Sequence, residues 1–498
     1  MNQIRNKSLL SKVVSAEKAV ESIQDGMIIG TTSGDGSAFP RAFFSALAEK
    51  AECKGEFRIQ IWAGGPISNE IDGILTQKGL ISRRLGQQSN SILRKAINQG
   101  KVSFIDLPSG MFSIKIRERR LGCPDVSVIE AMAITEEGFI VPTTSVLDGP
   151  SHLQVAEQVI VELNNDYPIQ LEGIHDIYIP QPPPYRKPIP LIHVLDRIGF
   201  PYIPIDPKRI TYIVESNQIY VSKKDIPLDR ESLQVGRHVV NFLEREVQKR
   251  GLSKSLLPLE LGLGSLAEAV MEGLLRSDLG PLEIYTAVIG DGILNLMDAG
   301  KVSGMSVSGL SFSLKGFERF WRKLDKYKEM IILRPVEIAD CPEVILRLGV
   351  IAINGALEVD IYGHVNSTHV QGSHIITGIG GSGEFAQNAY LSIFILPSSR
   401  DNQKISSIVP MTTHVDHSEH SVDVIVTEQG VADLRGLDPI ERANLIIENC
   451  AHPVFRPYLR RYLRNAKKES SGHEPHFLKE AFNLHLNFLE KGTMREEN

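Results

Sequence analysis

The sequence predicts an α/β protein of two tandem domains with mainly parallel sheets. Short apolar runs alternate with amphipathic helical stretches along most of the chain, the order that winds helices over both faces of a parallel sheet. The strand-like runs are nearly continuous in apolar residues, as strands buried on both faces must be. The length of 498 residues is enough for at least two hydrophobic cores.

Taken in order, residues 27–31 (MIIGT) read as the first strong strand. The loop TTSGDGSA follows, and Pro40 then opens a helix through FPRAFFSALAEKAE, because proline suits the first helical turn. Further strands are predicted at FRIQIWAGG, VSFIDL, VSVIEAMAI, QVIVELN and DIYIP. Residues 182–190 (PPPYRKPIP) are an extended crossover, since proline fixes φ and removes a donor. YIPIDPKRITYIVES reads as two more strands, and the domain boundary is placed within residues 221–229, giving units 1–225 and 226–498. A helix is predicted over residues 232–250. The tetrapeptide GKVS recurs, after Gln99 and after Ala299, each time between a helix and a strand, which suggests two related halves. From Asp438 onward the chain is helical, and its last part is a loop followed by an amphipathic helix.

Composition narrows the function. Hydrophobic residues at 42% and charged residues at 23% exclude a disordered, collagenous, coiled-coil or disulfide-scaffold chain. Lys plus Arg is 54 against 60 Asp plus Glu, a net charge of −6. That balance argues against general nucleic-acid binding, so an anionic ligand needs a local basic patch. Cys53, Cys123, Cys341 and Cys450 are far apart with no CxxC pair, which predicts reduced thiols and no zinc ribbon. No apolar run reaches the roughly 18–20 residues of a membrane span. The N-terminus lacks a secretory core, and a cytoplasmic location is expected.

Four segments can carry chemistry. In LELGLGSLAEAV, Gly262 and Gly264 precede a helix beginning at Ser265, with Ser265 and Glu268 at capping-box spacing. Gly262, Leu263, Gly264, Ser265 and Leu266 thus form an anion- or cofactor-binding turn or a plain, well-capped βα turn. In GIGGSGEF, Gly378, Gly380, Gly381 and Gly383 leave backbone amides free to approach a ligand or an oxyanion. The strand Val424–Thr427 delivers Glu428 to its carboxyl end, where ligands bind in open α/β sheets. There Glu428 either serves the site or pairs with Arg435. THVDHSEH holds His414, Asp416, His417, Glu419 and His420. These read as a polar loop lining a cleft, because consecutive side chains of an extended segment splay to both faces; no metal site is expected.

Four longer stretches, LRLGVIAINGALEVDIYGHVNSTHVQG, GIGGSGEFAQNAYLSIF, ISSIVPMTTHVDHSEH and VTEQGVADLRGLDPIERA, resemble the acetyl-CoA hydrolase/transferase family of class I CoA-transferases. This group includes succinyl-CoA:acetate and propionyl-CoA:succinate CoA-transferases. The resemblance covers nearly the whole chain. It implies two CoA-transferase-type α/β domains, an active site between them, a homodimer, coenzyme A or an acyl-CoA as substrate, and a small carboxylate as acceptor. It also implies a glutamate nucleophile within Y-[ST]-E-V-[IL]-Q-D that forms an acyl anhydride and then a glutamyl-CoA thioester.

The matching segment here is Tyr285-Thr286-Ala287-Val288-Ile289-Gly290-Asp291, so Ala287 stands at the nucleophile position and offers no lone pair. The family's G-V-G-N-I, which contacts CoA, is Gly262 through Leu266. Its asparagine before P-E-[IV] is Asp340, and its lysine before a GKIS-like segment is Asp401, with Arg400 beside it and Lys404 retained. The family's S-G-F-T-P-A-G is replaced by TTSGDGSAFP. Gly381 and Glu428 stand at the oxyanion-loop and active-site positions. If the parent protein carries glutamate at 287, CoA transfer is expected. If Ala287 is natural, as several departures around one site favour, the expectation is acyl-CoA chemistry without a covalent intermediate, with Glu428 or His417 as base. A CoA-binding pseudoenzyme or a plain acyl-CoA hydrolase is the alternative.

Overall fold

The computed structural model describes residues 3–34, 38–52, 57–217, 219, 221 and 227–496. Cys53, most of the predicted domain boundary and the tip of the TTSGDGSA loop lie outside the described residues.

Among the described residues, two large sheets carry the fold. The first winds outward from Ile28–Thr31: Ile59–Trp62, Ile81–Leu85 and Ser103–Ile105 add in succession on one side. The chain then returns and lays down Val126–Ile134, Gln158–Asn164 and Ile210–Ser216 on the other side. All these neighbours are parallel. All nine residues of Val126–Ile134 are buried, as its largely apolar VSVIEAMAI run requires of a strand covered on both faces. The second sheet repeats the winding from Leu259–Leu261. Leu282–Ile289, Val302–Leu310 and Ile331–Leu333 go to one side, and Ile351–Gly355, Leu391–Ile395 and Val424–Thr427 to the other. Gly430–Asp433 closes that edge antiparallel.

The helix predicted over 232–250 spans Arg230–Arg250, where Asp229 caps it through the Ser232 amide. The three C-terminal helices, Pro439–Asn449, Arg456–Glu469 and Asn483–Lys491, pack an apolar cluster of their own with Val359, Tyr362 and Ile408. Cys123, Cys341 and Cys450 are unpaired. No helix among the described residues is long and apolar enough to cross a membrane.

Two predicted strands are absent from the described structure. DIYIP makes only isolated bridges at its start, Ile177 pairing with Phe200. YIPIDPKRITYIVES yields one strand, Ile210–Ser216, preceded by a lone bridge from Ile203 to Ile140. Prolines at 180, 182–184, 204 and 207 remove the donors a ladder needs. The crossover instead buries Ile189, Leu191 and Val194 against Tyr285, Ile338 and Val344 of the second half.

The GKVS echo also changes meaning. Gly100 and Gly300 both end a helix at positive φ, +70° and +68°. Yet, counted from the central strand of each sheet, Ser103–Ile105 is the fourth strand laid down, whereas Val302–Leu310 is the third. The segment in the same topological place as Gly300-Lys301-Val302-Ser303 is Gly79-Leu80-Ile81-Ser82. Gly79 has φ +72°. The amides of Leu80 and Lys301 return to the carbonyls of Leu75 and Leu296, at 3.0 and 2.8 Å. Ser82 Oγ donates to Ile59 O at 2.8 Å and Ser303 Oγ to Leu282 O at 3.1 Å. The register slips at these same places, Ile59/Gln60 and Leu282/Glu283.

The halves are clamped together by polar contacts. Arg334 pairs with Asp176. Arg117 holds Glu337 through two bonds of 2.8 and 2.6 Å.

Candidate active site

The carboxyl ends of the central strands of both sheets meet at a cleft of about 520 Å³. The first half contributes Ser33, Gly64 and Gln87 from the loops after its strands, and the second contributes Glu260, Gly262 and Ala356. In each sheet the central strand is where the winding reverses, so the following connections leave on opposite faces and open a crevice.

On the second-half wall, Thr286, Ala287 and Val288 of Leu282–Ile289 line the cleft. Ala287 presents a methyl group. Glu260, from Leu259–Leu261, reaches across the reversal point. Its Oε2 accepts from the Ile353 amide at 3.1 Å and from Asn354 Nδ2 at 2.9 Å. Burial pushes its carboxyl up to about 8, against those two donors. Opposite is the Gly378–Ser382 stretch. The Ile379 amide is held by Asp106 at 3.0 Å, and the carbonyl of Gly380 accepts from the Ser109 amide at 3.1 Å. Burial raises the Asp106 carboxyl to about 6.

Gly380 needs to be glycine because its φ is +58°. Gly381 needs to be glycine because a Cβ there lies 2.8 Å from Asp340 Oδ2. Asp340 is fully buried, and neither carboxyl oxygen has a hydrogen-bond partner. Burial and the neighbouring Glu384 and Glu260 hold it protonated, well above the usual carboxylate range. Burial likewise raises Glu384 to about 7, although its Oε1 receives the Met111 amide at 2.9 Å. Arg400 is the cation lining this cleft, donating to Ala356 O at 3.0 Å.

Of the residues singled out from the sequence, the cleft gathers Gly262, Leu263, Ala287, Gly378, Gly380 and Gly381. Gly264, Ser265, Leu266, Gly383, Lys404 and Glu428 are not among the residues lining it. Gly264, at φ +114°, caps Ser265–Arg276 with no side-chain bond. The capping box is not formed: Ser265 is already the first helical residue, and Glu268 instead receives the Gly292 amide at 2.9 Å. Gly383 lies inside Ser382–Asn388 against Ile379 and Pro108. Lys404 is exposed and 3.6 Å from Asp401.

Glu428 does end its strand, but it stands near the sheet's edge and its carboxylate is used. Oε2 accepts the Ser398 amide at 2.8 Å, and Oε1 accepts the Ser398 hydroxyl and Gln429. The alternative pairing with Arg435 is absent too, since Arg435 binds Glu246 and Asp433.

The THVDHSEH loop lies behind the cleft rather than along it. His417 is buried, with Nε2 3.2 Å from the Ser382 hydroxyl, and burial depresses its pKa to about 4. Asp416 receives the Ser367 and Thr368 side chains. Glu419 joins His364 and Glu474 in a group of metal-ligand type. Burial alone lowers the His364 pKa, but Asp360, Glu474 and Glu419 outweigh it and raise it to about 9; its ring nitrogens lie 3.1 Å from Asp360 and 2.8 Å from Glu419.

Sequence reasoning missed Glu260 and gave no role to Arg400. The signal for Glu260 was an acid inside an apolar strand run, LELGL, in the segment where only the glycines were weighed.

The sequence matches the Acetyl-CoA hydrolase/transferase N-terminal domain over residues 1–215 and its C-terminal domain over residues 316–463. The succinyl-CoA:acetate CoA-transferase of Clostridium kluyveri is 42% identical over 99% of this chain and 92% of its own length. The chain belongs to the acetyl-CoA hydrolase/transferase family. The propanoyl-CoA:succinate CoA transferase of Escherichia coli is also 42% identical, covering 97% of this chain and 98% of that protein. The acetyl-CoA hydrolase of Schizosaccharomyces pombe is 41% identical over 99% and 98%. Among solved structures, RipA from Yersinia pestis superposes with a TM-score of 0.72 at 21% identity, over 94% of this chain and 99% of that one. The 4-hydroxybutyrate CoA-transferase from Porphyromonas gingivalis gives 0.61 at 21%, over 91% and 98%. The family's fold, two α/β units with mainly parallel sheets, is therefore the fold of this chain, and the family's members are enzymes that act on CoA thioesters.

Proposed function

We propose that the protein binds acyl-CoA thioesters in this cleft and converts them without a covalent glutamyl-CoA intermediate. The observation that carries this reading is Ala287: a methyl group lies among the cleft-lining loops at the position where the family resemblance calls for a nucleophile. The backbone around Gly262 and Leu263 and the Gly380–Gly381 turn hold the CoA portion and the thioester carbonyl. Among the described residues, the amides of Gly380 and Gly381 donate to no protein acceptor, which suits them to polarise that carbonyl. Arg400 suits a carboxylate, either of the acyl group or of an acceptor. This reading includes a homodimer and a division of the chain near residue 225, to be checked by sedimentation and limited proteolysis.

Binding is tested by thermal melts. Free CoA or a short acyl-CoA at 100 times its dissociation constant adds about 2.7 kcal/mol to stability. Melts unchanged by millimolar CoA, propionyl-CoA and succinyl-CoA reject the reading. Intact-protein mass after incubation with acyl-CoA is expected to show no CoA adduct, and turnover is expected to survive borohydride. An adduct places a nucleophile elsewhere in the cleft.

A further inference from the structure

We propose that Glu260 is the catalytic base of the cleft, activating a water molecule that hydrolyses the acyl-CoA thioester. Resting on the reading above, this assigns the outcome of the reaction, hydrolysis rather than exchange, to one side chain.

The cleft itself makes the selection. Among the described residues lining it, Glu260 is the only one with an acidic side chain, and no histidine, lysine or cysteine lines it. The carboxylate is positioned yet incomplete. Oε2 is fixed by the Ile353 amide and Asn354 Nδ2, while Oε1 accepts no hydrogen bond from the described residues. One pinned oxygen and one open oxygen are what a base needs to hold a water in a fixed direction. Glu428 has both oxygens occupied.

Ser382 lines the cleft and approaches His417, but its hydroxyl donates to Ile379 O at 2.8 Å. His417 has no carboxylate hydrogen-bonded to its ring among the described residues, and burial leaves it a weak base near 4. That pair lacks the orienting third group of a serine–histidine system.

The reaction balances as follows. Glu260 takes a proton from water as the water oxygen bonds to the thioester carbon, and the carbonyl oxygen becomes an oxyanion beside the Gly380–Gly381 turn. The oxyanion re-forms the carbonyl, the carbon–sulfur bond breaks, and the proton on Glu260 passes to the departing thiolate. The products are free CoA thiol and a carboxylic acid that ionises in solution. Asp340, in the turn after Val336–Ala339, is the titratable group that feels the charge of Glu260, and Glu384 of Ser382–Asn388 acts in turn on Asp340; Tyr285 lies on the strand paired with that of Glu260, and Arg400 lines the same cleft. None is hydrogen-bonded to Glu260.

The test uses the full chain with acetyl-, propionyl- and succinyl-CoA, following thiol release and CoA affinity separately. Glu260→Gln keeps an acceptor for Ile353 and Asn354 and has no charge to bury, so CoA affinity is expected to hold and the melting temperature not to fall, while kcat falls roughly 100- to 10,000-fold. Glu260→Asp is expected to recover part of that loss. The wild-type rate is expected to climb with pH to a plateau above about 8, the pKa set by burial, and the limb is expected to vanish in Glu260→Gln. In ¹⁸O-water under single turnover, label is expected in the released acid and not in the Glu260 peptide.

A Glu260→Gln enzyme that binds and hydrolyses normally overturns the proposal while leaving the functional reading intact. Label in the Glu260 peptide makes Glu260 a nucleophile and overturns the role as base. Loss in Ser382→Ala matching that in Glu260→Gln, with affinity kept, moves the chemistry to serine. A wild-type chain that binds no CoA, or binds it and turns over none of the three thioesters, rejects both readings.

Discussion

Each half of the molecule places a buried carboxyl where its central strands end, and the two are treated in opposite ways. In the first half, Asp148 receives the Ser33 amide at 2.9 Å, the Ser33 hydroxyl at 2.8 Å and the Gly64 amide at 2.6 Å, with His152 at 3.2 Å. Burial opposes its charge, but His152 and these donors outweigh burial and lower its pKa. In the second half, Glu260 has two donors on one oxygen, and burial wins, raising its pKa to about 8. The winding is the same in both sheets. The number of donors decides whether a buried carboxyl becomes a permanently ionised strut or a reactive base.

The largest effect expected is at the strut. Asp148→Asn turns an amide donor toward either the Ser33 or the Gly64 amide, which bind different oxygens of Asp148, and is expected to cost about 3 kcal/mol in denaturant unfolding. A loss below about 1 kcal/mol shows that the two carboxyls are not the opposites drawn here.

The second comparison is in pH. Glu260 is raised from 4.5 to about 8, so between those values the folded state holds more protons than the unfolded one. Its contribution to stability therefore falls as pH rises through that window, by at most about 1.4 kcal/mol per unit. Asp148 is lowered from 3.8, so its contribution is present above that value and is lost as pH falls below it. The difference in stability between wild type and Glu260→Gln is expected to drift across pH 4.5–8. The difference between wild type and Asp148→Asn is expected to change only on the acid side. A flat Glu260 difference removes the contrast.

The smallest effect sharpens the sameness of the halves. Ser82→Ala and Ser303→Ala each delete one bond at the matching register slip and are expected to cost about 1 kcal/mol each. Unequal costs, one near zero, show that the two slips are not energetically alike.

Legibility in the sequence followed locality. The apolar runs located the strands Ile59–Trp62, Val126–Ile134, Gln158–Asn164 and Val424–Thr427 closely, because burial on both faces keeps apolar residues in the majority along each run. The helix through residue 250 was legible from its period, with Gly251 in the left-handed region at its end. DIYIP failed for a nonlocal reason: its apolar residues serve a core but find no ladder partner. GKVS was a true helix stop but a misleading repeat, since equivalence of the halves lives in winding order, and there Gly79-Leu80-Ile81-Ser82 is the match.

By itself, then, the sequence determined the α/β class, the family and the glycine turns that bound the cleft, because these rest on patterns within a few tens of residues. The tertiary structure decided which carboxylate is available for chemistry. Glu260 owes its half-satisfied state to Ile353 and Asn354, 93 and 94 residues along the chain, and Glu428 is spent on Ser398, 30 residues before it. A carboxylate's reactivity is set by how many donors reach it and how much water is excluded, and both are fixed only when distant strands come side by side.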